Sequence, residues 1–302
     1  MGFLRVTMRR GRKWRPLALL GSGLLLLTSG CSSSSPTPAP TSSASPPTST
    51  ASSSGTLTWI IDRSALAGLN SEGLSNSQLS ELFNNAHTYI VGSTASAAES
   101  ANISNWTSQQ SITITDLRPA AFSRGAAAVL YDDEDWSLTP KVQQENPAKY
   151  ESEGYRLARA RGVVFIVAPA MDLVRVLDPD GTGTVAQRFL NLDLIGEAAR
   201  NADVVDIQAQ GLEGSSQYTS FVTAAARQAK AANPDVKVLA GLSTNPSGRT
   251  ISASVLAQDA NSVRSAVDGY WLNIPSSGTA CPTCGTARPQ VAVLWLEQLL
   301  SD

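Results

Sequence analysis

The 302-residue sequence predicts an α/β fold in which a single (β/α)8 barrel occupies residues 56–302. Short apolar runs rich in Val and Ile recur along this region without strict polar alternation, which is typical of parallel strands covered on both faces. Helical patterns separate the runs, and strand and helix alternate about seven or eight times, which suits a barrel of this length. No glycine-rich phosphate-binding motif follows any run, which disfavours a nucleotide-binding doubly wound sheet.

Each predicted element follows from a local pattern. The third strand has the weakest pattern of the eight, which are LTWII from 57, TYIVG from 88, SITIT from 111, AAVLYD from 127, VVFIVA from 163, VVDIQA from 204, VKVLAG from 236 and GYWLNI from 269. The best-marked helix begins at Asn146-Pro147, where Asn can cap and Pro suits the first helical position, and ends before Gly162. Further helices are predicted in GEAARNA, SSQYTSFVTAAARQAKAA, SASVLAQDANSVRSAV and PQVAVLWLEQLL.

The first 30 residues contain six basic residues and no acid, followed by the short apolar run LALLGSGLLLL and small residues before Cys31. This composition predicts a signal peptide over residues 1–30, because the apolar run is too short for a membrane span. The segment resembles a bacterial lipoprotein signal, although Thr28 stands where Leu is usual. The resemblance implies that Cys31 carries lipid and anchors the chain to the outer face of the bacterial cell membrane. Plain secretory cleavage is the alternative.

Residues 31–55 are rich in Ser, Thr and Pro and contain no charge, so we expect a disordered tether. Beyond residue 30 the chain has 17 basic and 25 acidic residues, which argues against a nucleic-acid partner. We expect a monomer that needs no cofactor and meets the membrane through Cys31. The pair Cys281 and Cys284 favours a loop disulfide, because a zinc site needs more ligands than this pair and the one histidine, His87, provide.

Polar residues follow nearly every predicted strand. In a parallel barrel these positions meet at one end, where function lies. The candidate catalytic residues are Glu134, Asp132, Asp172 and Asp206, and the candidate substrate-binding residues are Trp136, Gln208, Gln210, Asn245, Trp271 and Asn273.

Four consecutive acids end the fourth strand, in the stretch YDDEDW from residue 131. Because alternate residues of a strand point the same way, Asp132 and Glu134 should project together. Asp133 and Asp135 should point elsewhere, toward helix N-termini or solvent. Two coupled carboxyls can have separated pKa values, so that one acts as an acid while the other stays ionised.

This D-x-E at a strand end resembles the motif of chitinase-like and lysozyme-like glycoside hydrolases that have a (β/α)8 barrel. The resemblance covers Asp132, Glu134 and nearby aromatic residues; Leu130 replaces a further Asp of the chitinase-like pattern. It implies glycan hydrolysis with Glu134 as the general acid and Asp132, Asp172 or Asp206 as base, nucleophile or electrostatic partner. Trp136 and Trp271 would then stack on sugar rings.

Residues 85–295 resemble a group of secreted bacterial proteins. The shared stretches are YDDEDWSLTPKVQQENP, APAMDL, DVVDIQAQ, GLSTNPSG, GYWLNIP and CPTCGTARPQVAV. This resemblance implies a barrel and no particular activity.

Three other hypotheses remain open from the residues alone. The same groups could bind a glycan without chemistry. The acids could form a calcium loop, although Leu138 and Gln144 stand where that loop needs Gly and Glu. The acids could also only cap the following segment, with their charges solvated.

Overall fold

A computed structural model describes residues 56–92, 105–122, 125–279 and 281–301. The predicted signal peptide, Cys31 and the tether to residue 55 lie outside the described residues. Within the described parts, no helix has the length and apolar character to cross a membrane.

Eight parallel strands close into a barrel in chain order, so the predicted fold class is confirmed. All eight predicted strands are present, including the weakly patterned third. Their bounds are β1 (Thr58–Asp62), β2 (Thr88–Val91), β3 (Gln109–Ile114), β4 (Ala128–Asp133), β5 (Val164–Pro169), β6 (Val204–Ile207), β7 (Lys237–Ser243) and β8 (Gly269–Asn273).

Helices surround the barrel in the order α1 (Arg63–Ser71), α2 (Asn76–Phe83), α3 (Lys141–Gln144), α4 (Pro147–Arg159), α5 (Val174–Leu177), α6 (Val185–Asn191), α7 (Leu194–Arg200), α8 (Tyr218–Ala232), α9 (Ala253–Val263) and α10 (Pro289–Ser301). The described residues between β2 and β4 contain a short 3-10 turn at Pro119–Ala121 and no α-helix. Pro147 opens α4 as predicted, but the Asn146 side chain donates to the Val142 carbonyl and does not cap the helix.

The alternation of β4 sets the direction of the acids that follow. Ala128 and Leu130 belong to the apolar cluster inside the barrel, while Val129 and Tyr131 pack in the layer between strands and helices. Because the alternation continues to the end of β4, Asp132 points into the barrel and Asp133 points outward.

The last helix packs against the outside of the barrel through aromatic contacts. The Trp295 ring on α10 lies 5.9 Å from the Trp59 ring on β1 and 5.7 Å from the Tyr270 ring on β8, centroid to centroid. The loop before α10 contains the Cys281–Cys284 disulfide, which confirms that prediction.

Candidate functional site

Four acids line the C-terminal end of the barrel, which we call the mouth. Asp62 ends β1, Asp132 lies near the end of β4, Glu134 follows β4, and Asp206 lies on β6. Asp62 and Asp206 share the inward register of Ile60 and Val204, members of the cluster inside the barrel. We refer to these four residues as the mouth acids.

Asp132 and Glu134 form a hydrogen-bonded carboxyl pair, as their shared direction on the strand predicts. Burial raises the pKa of both carboxyls. The negative charge of Asp132, and the hydrogen bond that Asp132 accepts from Glu134, raise the pKa of Glu134 further. Within this pair, Glu134 therefore holds the proton. The Gln208 Nε2 amide donates to Asp132 Oδ1 at 2.8 Å and to the Ala168 carbonyl at 2.8 Å. This amide lowers the pKa of both acids and fixes the orientation of Asp132.

Asp206 is fully buried, and neither carboxylate oxygen has a hydrogen-bond partner. Burial raises the pKa of this carboxyl well above its ordinary value. Gly241 on the neighbouring strand β7 leaves room beside it, since a Cβ there would lie 2.5 Å from Gln210 Nε2 and 3.1 Å from Asp206 Oδ2. Gln210 and Asp206 therefore fill the same corner of the mouth.

Asp62 was not among the sequence candidates. Burial raises its pKa to about 6, although the residue keeps partial solvent exposure. The signal that identifies it is the same one that identified the other acids: Asp62 directly follows the apolar run LTWII.

The two candidate tryptophans differ in exposure and bonding. Trp271 on β8 belongs to the cluster inside the barrel with 7% of its surface exposed, and its buried Nε1 has no partner. Trp136 is partly exposed, and its Nε1 donates to Thr139 Oγ1 at 2.7 Å. Asn273 ends β8 with partial exposure.

The loop after β4 is closed by side-chain amide and hydroxyl groups. Gln144 Nε2 donates to the Trp136 carbonyl at 2.7 Å and to the Thr139 carbonyl at 2.9 Å. The Trp136 amide in turn donates to the Glu134 carbonyl at 2.9 Å. Gln144, the residue at the closing position of the hypothetical calcium loop, thus acts as a donor within the loop. Among the described residues, no group of three or more His, Cys, Asp or Glu side chains could hold a metal ion.

The prediction for Asp133 was wrong. This side chain is completely buried outside the barrel wall, and neither oxygen has a hydrogen-bond partner, so it meets neither solvent nor a helix N-terminus. Burial, followed by the charges of Asp172 and Glu134, raises its pKa to about 7.

Asp172 and Asp135 lie together at the rim. Asp172 accepts the Asp135 backbone N–H at 3.0 Å and pairs with Arg175 at 2.9 Å, and Arg175 also pairs with Asp135 at 3.3 Å. These contacts join the loops after β4 and β5, and they place Asp172 in a different setting from the mouth acids, which form no ion pair in the described parts of the chain.

Asn245 uses its polar atoms within the protein. Its Nδ2 donates to the carbonyls of Pro275, Cys284 and Thr286 at 2.7–3.3 Å, and its Oδ1 accepts from Thr244 at 2.8 Å. With 1% of its surface exposed, Asn245 holds the loop before α10 and has no group free for a ligand.

A cavity of about 770 Å³ lies at the opposite end of the barrel, which we call the floor. It is lined by residues near the N-terminal ends of the strands, including His87, Tyr89, Asp203 and Lys237. Asp203 accepts the Phe165 backbone N–H at 2.9 Å there.

No protein-family model matches the sequence, and no curated protein matches it. Among solved structures, the chain is similar to a chitinase from Chromobacterium violaceum ATCC 12472, with 11% identity, a TM-score of 0.47 and coverage of 82% of this chain and 99% of that one. It is also similar to the catalytic domain of a family GH18 chitinase from the fern Peteris ryukyuensis, with 14% identity, a TM-score of 0.47 and coverage of 81% and 100%.

A third similar structure is the carboxyl transferase domain of Rhizobium etli pyruvate carboxylase, with 8% identity, a TM-score of 0.42 and coverage of 82% of this chain and 47% of that one. At such low identities the likeness concerns barrel architecture and assigns no activity, because one barrel fold supports many unrelated reactions.

Proposed function

We propose that this protein is a lipid-anchored glycoside hydrolase that acts on an extracellular or cell-wall glycan, with Glu134 as its general acid. The observation that carries the proposal is the Asp132–Glu134 pair. Glu134 is partly exposed at the mouth, and it keeps its proton because it is buried on one side and hydrogen-bonded to Asp132. A general acid for glycosidic bond cleavage needs such a proton at neutral pH.

In the proposed reaction, Glu134 transfers its proton to the glycosidic oxygen as the bond to the anomeric carbon breaks. Asp132, oriented by Gln208, stabilises the positive charge that develops on the sugar. Asp62, whose pKa is about 6, lies on another strand of the same mouth and is the candidate base, which takes a proton from the water that bonds to the anomeric carbon. Asp206 is less suited to that role, because burial raises its pKa well above its ordinary value. Asp172, paired with Arg175, is better suited to holding the rim. Trp271 would form an apolar surface for a sugar ring.

The proposed location rests on the sequence alone. A lipid at Cys31 would anchor the chain to the outer face of the bacterial membrane, and residues 31–55 would hold the barrel away from that surface. A glycan in the cell wall or medium would then reach the mouth.

The second candidate function is glycan binding without chemistry. One observation favours it: the candidate binding groups Gln208 and Gln210 are neutral amides, which bind polar ligands without reacting.

The substitution Glu134→Gln separates the two functions. We expect it to lower kcat on a susceptible oligosaccharide from a panel of cell-wall and chitin fragments by about 10²- to 10⁴-fold while changing Kd by less than about threefold. Glu145→Gln, at an exposed acid in the turn between α3 and α4, is the matched control and should leave both constants unchanged.

Unchanged kcat in Glu134→Gln would contradict the assignment of the acid. Binding by the wild-type protein without turnover of any oligosaccharide in the panel would favour the second function.

A further inference from the structure

We propose that the glycan recognised at the mouth carries free amino groups, so that its sugars enter as ammonium cations. This inference rests on the proposed function, because it names the class of glycan that the same site takes.

The first step concerns charge. Among the described residues, none of the mouth acids forms an ion pair with a lysine or an arginine. Arg63, directly after Asp62, donates to the neutral Gln110 side chain, and Arg175 at the rim pairs with Asp135 and Asp172. The described part of the mouth therefore concentrates four carboxyl groups without a protein cation to balance them.

The second step concerns Asp206, whose side chain is fully buried and directed into the barrel. Both of its oxygens are free of hydrogen bonds, and the buried Nε1 of Trp271 is also without a partner. Leaving such groups unpaired is unfavourable, and more so for a charged group. A ligand that donates charged N–H groups to Asp206 would remove this cost.

The third step compares possible ligands. Without a cation, a buried carboxyl takes up a proton to avoid its charge. An ammonium group can replace that proton, because its hydrogen bonds to a carboxylate are charge-assisted. A neutral acetamido or hydroxyl group cannot supply the countercharge, and an acidic sugar would add repulsion. The chemistry of the mouth thus favours amino sugars over their acetylated and acidic counterparts.

The test compares two hexasaccharides of equal length, one of glucosamine and one of N-acetylglucosamine, by calorimetric titration into the Glu134→Gln protein, with hydrolysis of both followed for the wild type. We expect the amino oligomer to bind at least about tenfold more tightly, equivalent to about 1.4 kcal/mol. Binding of the amino oligomer should also release protons from the mouth acids. The measured binding enthalpy should therefore depend on the ionisation enthalpy of the buffer.

Two further variants test whether the carboxyls cause the preference. Asp206→Asn, made in the Glu134→Gln background, should reduce it to less than about threefold. Asp62→Asn, at a partly exposed position, should reduce it in the same direction if Asp206→Asn does not fold. Glu145→Gln in that background should leave it unchanged.

Equal or tighter binding of the acetylated oligomer would overturn this inference and leave the proposed function standing. A preference that survives both Asp206→Asn and Asp62→Asn would also overturn it. Failure of both oligomers to bind and to be cleaved would overturn the inference together with the proposed glycan specificity of the mouth.

Discussion

Acids at the two ends of the barrel have opposite surroundings. At the floor, Asp268 accepts the Val238 N–H at 2.9 Å and pairs with Lys230 at 3.0 Å and Lys237 at 3.4 Å. Burial alone would raise its pKa, but these donors outweigh burial and lower it. At the mouth, Asp206 has no such donor, and burial raises its pKa.

The ionised form of Asp268 therefore stabilises the folded protein, whereas ionising the buried Asp206 would destabilise it. The N-terminal end of such barrels generally serves stability, and there the sequence supplies a partner for the charge. The mouth contains carboxyls whose burial is not compensated, and uncompensated features of this kind cluster at functional sites.

The largest effect should be a loss of stability as the pH rises. The mouth acids and Asp133 hold protons in the folded protein at pH values where the unfolded chain has lost them, since unfolded Asp titrates near 4. Their contribution is complete below pH 4 and is lost as the pH rises through their folded pKa values, about 6 for Asp62 and about 7 for Asp133. Each such group lowers the free energy of unfolding by about 1.4 kcal/mol per pH unit. Denaturant unfolding should therefore show a loss of at least about 3 kcal/mol between pH 5 and pH 7.

The control for this slope is Asp206→Asn, which removes one titrating group and should make the slope shallower. A free energy of unfolding that is constant or rises between pH 5 and pH 7 would contradict the high pKa values of the mouth acids.

Asp268→Asn should destabilise the protein by about 1–3 kcal/mol at pH 7, because it removes charge-assisted bonds and leaves Lys230 and Lys237 without their partner. The measurement is the midpoint of denaturant unfolding. Asp206→Asn at the same pH should be neutral or stabilising, and a loss as large as that of Asp268→Asn would show that the two ends do not differ.

Gln208→Ala should shift the basic limb of the kcat/KM profile to higher pH and lower kcat/KM about tenfold. The Gln208 amide lowers the pKa of both Asp132 and Glu134, so its removal raises both values. Since Glu134 must be protonated to act, a higher pKa extends activity to higher pH. Gln210→Ala is the control, since Gln210 lies beside Asp206, and it should leave the limb in place. If the basic limb of the Gln208→Ala profile does not move, the Gln208 amide does not set the pKa of the catalytic acid.

The smallest effect should come from Gly241→Ala. The new Cβ meets the flexible end of Gln210, which can move, so we expect a change in stability within about 1 kcal/mol and a loss of ligand affinity of a few fold. Gly269→Ala, at the floor, should cost much more, because its Cβ would collide with the Thr58 backbone carbonyl. Similar losses of stability in the two variants would contradict this assignment of the two glycines.

The fold was largely predictable from local patterns. Buried parallel strands need apolar residues on both faces, so even the weak run SITIT corresponds to β3. The lack of an α-helix among the described residues between β2 and β4 was not predicted. The Asn146 side chain also binds Val142, because an Asn next to a helix start can bond in more than one direction.

The candidate site was predictable where strand alternation decides direction, as for Asp132 and Glu134. Asp62 directly follows the apolar run LTWII and obeys the same rule, although it was not predicted. Asp172 and Asn245 follow strands too, but loops turn their side chains toward Arg175 and toward the loop before α10. Such contacts join residues distant in sequence, so strand-end position alone cannot reveal them.

The most direct test of the account is a titration of the side-chain carboxyl carbons by NMR, with Asp206, Glu134 and Asp268 assigned through Asp206→Asn, Glu134→Gln and Asp268→Asn. We expect Glu134 to give the chemical shift of a protonated acid at pH 7, Asp206 to titrate well above the ordinary pKa of an Asp side chain, and Asp268 to titrate below it. Titration of all three near pH 4 would show that acids at the mouth and at the floor have similar surroundings. This result would contradict the proposed difference between the two ends of the barrel.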